Sequence, residues 1–155
     1  MKIEDYKGEY HKDLIEQYKL YAKMAEEISK RRNNKNYFYI SLLSGLLAVI
    51  SLIFDEKILS DFSYIILLCI SILSIFLCIT WFVHISSYRK LNTAKFSIIN
   101  EMESFLPFEC FKKEWDLLAE SKYKKLTKIE QIIPIIFIAL YIFLGTCSIY
   151  IIYFT

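Results

Sequence analysis

Residues 64–83 read YIILLCISILSIFLCITWFV, a run of 20 residues without a charged side chain. An uncharged apolar run of about 18 to 25 residues can cross roughly 30 Å of hydrocarbon as a helix. Residues 37–54 and 132–155 form two more runs without charge, each long enough to span a bilayer. The chain of 155 residues is therefore predicted to be an all-α membrane protein with three transmembrane helices and the lipid bilayer as its solvent.

All of the charged residues lie outside these runs. Of the 19 lysines and arginines, nine lie in residues 1–36 and nine in residues 86–131, whereas the short link 55–63 has one. Because segments rich in lysine and arginine stay cytoplasmic, we expect residues 1–36 and 86–131 to face the cytoplasm. The loop 55–63 and the C-terminus are then external. A net charge of +2 gives no reason to expect a nucleic-acid partner.

The two cytoplasmic segments are predicted to be helical. Residues 1–36 carry an apolar stripe at steps of three and four residues, which is typical of an amphipathic helix and includes Tyr18, Tyr21 and Ala25. The second span, assigned to residues 64–85, has no helix breaker before Pro107, so we expect it to continue into the cytoplasmic region 86–131. Pro107 suits the first turn of a further helix that ends near residue 121.

Motifs for catalysis or metal binding are not evident in the sequence. The two histidines lie on different predicted elements, and three glycines cannot build a phosphate-binding loop. The carboxylates of residues 101–114 are more typical of a solvated helix face than of a metal site. We therefore expect no enzymatic activity, no cofactor and no bound metal.

Two features of the spans are candidates for gating or for a pore. His84 lies at the inner end of the second span, where an ionisable side chain often has a function, although it could simply reach interfacial water. Small residues share one side of the first span and one side of the second span, and we expect them to pack helices closely rather than to line a watery pore. These small residues are Ser41, Ser44, Gly45, Ala48 and Ser51 in the first span, and Ser71, Ser74 and Cys78 in the second.

The segment after the second span contains a more specific pattern. Residues 81–103 read WFVHISSYRKLNTAKFSIINEME, and they are followed by LPF at 106–108, by EW at 114–115 and by YKKLTKIE at 123–130. This pattern resembles the RipA family of bacterial inner-membrane proteins, closely over about 50 residues and loosely over the layout of the spans. The resemblance implies a homo-octamer in the cytoplasmic membrane, and it brings no catalytic residues with it.

A homo-oligomer of this kind would need a subunit contact or collar below the membrane. Arg89 and Lys95 offer hydrogen-bond donors there, with which Glu101, Glu103 or Glu114 of a neighbour could pair. The predicted contact comprises Tyr88, Arg89, Leu91, Asn92, Lys95, Phe96, Glu101, Glu103 and Trp115.

These observations favour a ring-like homo-oligomer that acts as a channel or a membrane scaffold. Two alternatives stay open, and each adds a cytoplasmic protein partner. A weaker resemblance to the two-span effectors of bacterial anti-phage systems implies a stress effector that permeabilises the membrane when triggered. The second alternative is an accessory subunit that anchors a soluble enzyme.

Overall fold

The computed structural model describes residues 8–55, 62–121 and 126–154, and these form four α-helices without a strand. This confirms the all-α prediction. The helices are α1 (Tyr10–Asp55), α2 (Phe62–Glu103), α3 (Cys110–Glu120) and α4 (Leu126–Phe154). Three of them, α1, α2 and α4, are long and apolar enough to cross a membrane. Residues 56–61 of the predicted external loop and residues 123–125 of the YKKLTKIE motif lie outside the described residues.

The helices contribute to two compact units. The charged unit comprises the described parts of residues 1–32 and 87–124. The apolar unit comprises the described parts of residues 33–86 and 125–155. The division follows the sequence, because the three uncharged runs fall in the apolar unit and most of the lysines and arginines fall in the charged unit.

The connection from α2 to α3 differs in detail from the sequence prediction. The N–H groups of Phe105 and Leu106 donate to the carbonyls of Met102 and Glu103, at 3.1 and 2.9 Å, which is the tighter pattern of a closing helical turn. Pro107 disfavours a helical conformation in the residue before it, so α2 cannot continue. Helix α3 begins only at Cys110, so Pro107 lies in the connection between the two helices. The prediction that Pro107 lies in the first turn of α3 is therefore wrong.

Aromatic and branched side chains form the core of the apolar unit. Tyr39 and Leu43 of α1 pack with Trp81 and Ile85 of α2 and with Tyr141 of α4, and all five are buried. The Tyr141 hydroxyl donates a hydrogen bond of 2.7 Å to the Leu43 carbonyl. A bond of this kind joins two helices where the surrounding hydrocarbon offers no other partner. Large apolar side chains lie on the outside of the unit, as a lipid solvent requires, among them Ile72, Phe76, Val83, Ile136 and Phe143.

Small residues allow α2 and α4 to approach each other closely. A Cβ atom built on Gly145 of α4 would lie 3.4 Å from the Cβ atom of Ser71 in α2. Ser71 and Ser148 are buried, and neither hydroxyl has a hydrogen-bond partner within the described residues. Ser71 therefore serves the contact by its small size, which lets the two backbones come together.

Replacing Gly145 by leucine should therefore destabilise the protein. The additional side-chain atoms have to enter the space of Ser71 and Leu68, and overpacking of this kind typically costs about 1–3 kcal/mol. We expect a lower free energy of unfolding for Gly145→Leu, measured by circular dichroism in a detergent that holds the protein as a monomer.

Gly45→Leu is the matched control, because a Cβ atom on Gly45 meets no other atom within 4 Å. Both variants exchange glycine for leucine in a helix, so their intrinsic helix propensities change equally. Equal stability of the two variants would contradict the close contact of α2 and α4.

Candidate functional site

A fully buried carboxylate organises the charged unit. Glu103 is the last residue of α2, and its side chain has no solvent exposure. Its Oε1 atom accepts hydrogen bonds from the Tyr18 hydroxyl at 2.9 Å and from the Phe111 N–H at 3.0 Å. Its Oε2 atom accepts a bond of 3.2 Å from the Lys112 N–H. Three donors therefore satisfy the carboxylate in the interior.

The Glu103 carboxylate caps the N-terminus of α3. The first N–H groups of a helix have no partner within it, and the helix dipole places partial positive charge at that end. The residue at the N-cap position, Glu109, makes no capping bond with its own side chain. Glu103, which lies on α2, performs the capping of α3 instead. The negative charge of Glu103 is unfavourable at the C-terminal end of α2, and the α3 N-terminus offsets it.

Tyr18 and Phe111 complete the attachment of α3. Burial and the hydrogen bond to the Glu103 carboxylate raise the pKa of Tyr18 to about 12, so the hydroxyl stays protonated and keeps donating well above neutral pH. The Phe111 ring lies 6.2 Å from the Tyr18 ring and 5.5 Å from the Phe96 ring, measured between centroids. Helix α3 is thus held against both α1 and α2.

The apolar stripe in the N-terminal part of α1 faces protein. Within the charged unit, Ala25 and Ile28 are buried, and Tyr18 and Tyr21 are half-buried. The acidic side chains of Glu26 and Glu27 are exposed and lie within 4 Å of the Lys30 ammonium group. The N-terminal part of α1 is therefore amphipathic with its apolar side turned inwards.

The residues of the predicted subunit contact differ in their exposure. Tyr88, Asn92, Lys95 and Phe96 are half-buried, whereas Arg89, Leu91, Glu101 and Trp115 are exposed. Glu103 is the exception, because its carboxylate is used within the protomer. Its side chain is fully buried and out of reach of a neighbour's cation, so its observed role is that of a cap. For the other residues, contact with a neighbouring copy stays a prediction.

Lys95 connects α2 to α1 without a carboxylate. Its ammonium group lies 5.0 Å from the centroid of the Tyr21 ring and 3.9 Å from the Met24 sulfur. An aromatic face attracts a cation at this distance. Within the described part of the chain, no carboxylate oxygen lies within 4 Å of the Lys95 ammonium group.

His84, the candidate gate, belongs to a cluster of aromatic rings in the apolar unit. Its Nδ1 atom lies 3.2 Å from the Tyr39 hydroxyl, and the Tyr39 ring stacks on Trp81 with centroids 5.6 Å apart. The Trp81 indole N–H donates a 2.9 Å bond to the side-chain oxygen of Asn36. These contacts give His84 a structural role at the place where α1 and α2 meet. Its action as a gate stays a prediction.

The two stripes of small residues have opposite environments. Ser71, Ser74 and Cys78 of α2 are fully buried within the protomer, in keeping with helix packing. Their lining of a pore stays a prediction. The stripe on α1 is exposed throughout, and it comprises Ser41, Ser44, Gly45, Ala48 and Ser51.

No candidate metal site occurs among the residues that the structure describes, since no three side chains of histidine, cysteine, aspartate or glutamate are grouped suitably. The positions that hold α3 and His84 in place were missed by sequence reasoning. Tyr18 was assigned only to an apolar stripe, and neither Tyr39 nor Asn36 was expected to pair with the second span. Partners so far apart in the chain leave no signal in local periodicity. The spacing of the cap gives no local signal either, because Glu103 lies seven residues before the first residue of α3.

The fold defines an α-helical membrane protein with three candidate spans and a helical unit rich in charge. Residues 15–150 match the model of the octameric membrane protein family (8xMP), and the chain belongs to that family. This confirms the octameric membrane protein family expected from the resemblance to RipA. No curated protein matches the chain, and no solved structure matches it.

Removing the cap should release α3. Glu103→Ala leaves the Phe111 and Lys112 N–H groups and the Tyr18 hydroxyl without their acceptor, which should cost about 2 kcal/mol or more. We expect faster hydrogen exchange at the amides of Phe111 and Lys112, measured by mass spectrometry on the protein in nanodiscs.

Glu101→Ala serves as the control, because Glu101 is an exposed carboxylate only two residues earlier on α2. The bond that the Ser104 hydroxyl donates to residue 101 uses the backbone carbonyl and survives this substitution. If Glu103→Ala and Glu101→Ala exchange alike at the start of α3, Glu103 does not cap it.

Proposed function

We propose that this protein is a ring-like homo-oligomer of the bacterial cytoplasmic membrane that acts as a membrane scaffold rather than as an enzyme. Membership of an octameric family supports the homo-oligomer. Long apolar helices support its place in the membrane. The scaffold role rests on the fixed position of α3, as follows.

The observation that carries this proposal is the attachment of α3 by Glu103. An 11-residue helix is too short to be stable alone in water, and α3 has no buried residue of its own. The buried carboxylate and the Phe111 ring nevertheless fix it in one place. A short helix fixed in this way presents its exposed side chains in a constant arrangement, which is what an assembly surface requires.

A channel is the second candidate, and the exposed stripe of α1 favours it. Three serine hydroxyls lie on this stripe, at Ser41, Ser44 and Ser51, and none of these residues is covered within the protomer. In a ring of copies such a stripe either packs against a neighbour or borders water. The triggered effector and the anchoring subunit stay predictions from the sequence, since each depends on a cytoplasmic partner.

Subunit counting together with ion flux tests the proposal. We expect one species near eight subunits by native mass spectrometry in nanodiscs, and no ion flux above that of protein-free liposomes. A monomer or dimer would overturn the homo-oligomer. An octamer that conducts ions would replace the scaffold by the channel.

Should the octamer conduct, two substitutions of α1 decide whether the serine stripe lines the pore. Ser44→Phe should then reduce the flux, because the large ring would enter the water-filled path. Val49→Phe adds a phenyl ring at an exposed apolar position about 140° around α1 from Ser44 and should leave the flux unchanged. Equal flux in the two variants would exclude the stripe as the lining of the pore.

We further propose that residues 1–36 and 86–131 face the cytoplasm, from the distribution of lysine and arginine. Cys110 is exposed and lies in the second of these segments. A membrane-impermeant maleimide should modify it in inside-out vesicles and not in intact spheroplasts, as read by peptide mass spectrometry. The variant Tyr153→Cys, at an exposed position near the C-terminus, should show the opposite pattern. Modification of Cys110 in intact spheroplasts would mean that the orientation is the opposite of the one proposed.

A further inference from the structure

We propose that neighbouring copies of this chain meet through two different surfaces of the charged unit, with Lys95 of one copy paired to Glu114 of the next. The Lys95 surface comprises Leu20, Met24, Leu91, Lys95 and Ile98. The Glu114 surface comprises Phe108, Lys113, Glu114 and Leu117. The inference rests on the homo-oligomer of the proposed function and not on its role as scaffold or channel.

The Lys95 surface joins α1 and α2 into one apolar area around a cation. Leu91, Lys95 and Ile98 follow one another on one side of α2 at helical spacing. The contacts of the Lys95 ammonium group with Tyr21 and Met24 bring the adjoining side of α1 beside them. The four apolar residues of this surface, Leu20, Met24, Leu91 and Ile98, are 39–56% exposed.

The charge at the centre of this surface is unbalanced. Lys95 is half-buried, and in the described ranges it has an aromatic ring and a thioether as its contacts but no carboxylate. Partial burial of a cation costs free energy unless an anion or other polar partner compensates. A carboxylate brought by another molecule would supply the compensation.

The Glu114 surface has the complementary composition. Leu117 lies one turn after Lys113 and Glu114 on α3, and the Lys113 ammonium group lies 5.1 Å from the centroid of the Phe108 ring. Phe108 and Leu117 are 57% and 60% exposed. Among the described residues, no lysine, arginine or histidine nitrogen lies within 4 Å of the Glu114 carboxylate. An apolar area, with an anion that pairs with no cation of the described residues, thus faces outwards on a helix that Glu103 holds in place.

A second copy of the chain is the partner that these two surfaces fit. The family is octameric, so each chain has neighbours to contact. A ring of eight copies repeats one contact between two unlike surfaces, whereas a two-fold dimer would join one surface to itself. The Lys95 and Glu114 surfaces are unlike, both are apolar, and their central charges are opposite. Opposite charges within an apolar contact fix its register and disfavour wrong pairings.

Exchange of the two charges tests the contact. Lys95→Glu and Glu114→Lys each place like charges opposite one another, and each should lower the ratio of octamer to monomer by about tenfold or more in native mass spectra. The double variant Lys95→Glu/Glu114→Lys restores opposite charges and should recover the octamer.

The matched controls each reverse a charge on the same two helices, on a side of the helix that belongs to neither surface. Lys90 on α2 and Asp116 on α3 are exposed and belong to neither surface, so Lys90→Glu and Asp116→Lys should stay octameric. Hydrogen exchange at Phe111 and Lys112 reports whether the charged unit of each variant is folded. Because substitution of Lys95 also removes the contact with Tyr21, Leu117→Ser is a further variant that touches only an exposed side chain, and it should weaken the octamer as well.

Each outcome has a distinct meaning. Wild-type protein that is not oligomeric would overturn the proposed function. Octameric wild-type protein with octameric single variants would overturn this contact alone, and would assign the two apolar surfaces to lipid or to another protein. A folded double variant that stays monomeric would equally overturn the pairing of Lys95 with Glu114.

Discussion

The hydrocarbon solvent is the constraint on which the rest of the structure depends. Inside a bilayer no water can satisfy a backbone N–H or carbonyl group, so each segment that crosses it has to form its own hydrogen bonds as a helix. The solvent also removes the usual hydrophobic force between helices, because lipid tails are as apolar as leucine. Helices α2 and α4 therefore meet through Ser71 and Gly145, where small side chains bring the backbones together. The bond from Tyr141 to the Leu43 carbonyl joins α4 to α1 by the same logic.

Water imposes the opposite requirement on the charged unit. The backbone N–H and carbonyl groups at the ends of a short helix have no partner within the helix and bond to water instead. Helix α3 has no fully buried side chain that would compensate for the cost of ordering it. The Glu103 carboxylate supplies what is missing, because it satisfies two N–H groups and is itself satisfied by them and by the Tyr18 hydroxyl. One buried anion thereby connects α1, α2 and α3. A hydrogen bond to a charged group is worth more than a neutral one, which suits a site where few apolar contacts are available.

The sequence alone was enough to predict the helices and the spans, since both follow from periodicity and from the length of uncharged runs. It could not separate the two stripes of small residues, because Ser71, Ser74 and Cys78 have the same kind of spacing as the stripe that begins at Ser41. Only the packing of α4 decides that the first set is buried while the second is exposed. The same limit applies to Glu103. Its sequence neighbourhood resembles that of Glu101, and the difference arises from Tyr18, which lies 85 residues away in the chain.

The use of Glu103 as a cap changes which charges are available for assembly. A carboxylate that is fully buried and held by three donors inside the protomer is out of reach of a neighbour. The exposed Glu114 keeps its charge for an outside partner, and it lies on the helix that Glu103 fixes. The ammonium group of Lys95 contacts an aromatic ring and a thioether, which fix the position of its charge but do not neutralise it. The interior of the charged unit thus determines where its exposed charges lie. A ring of identical copies needs such a fixed arrangement, because a misplaced charge in one subunit contact is repeated in every other contact of the ring.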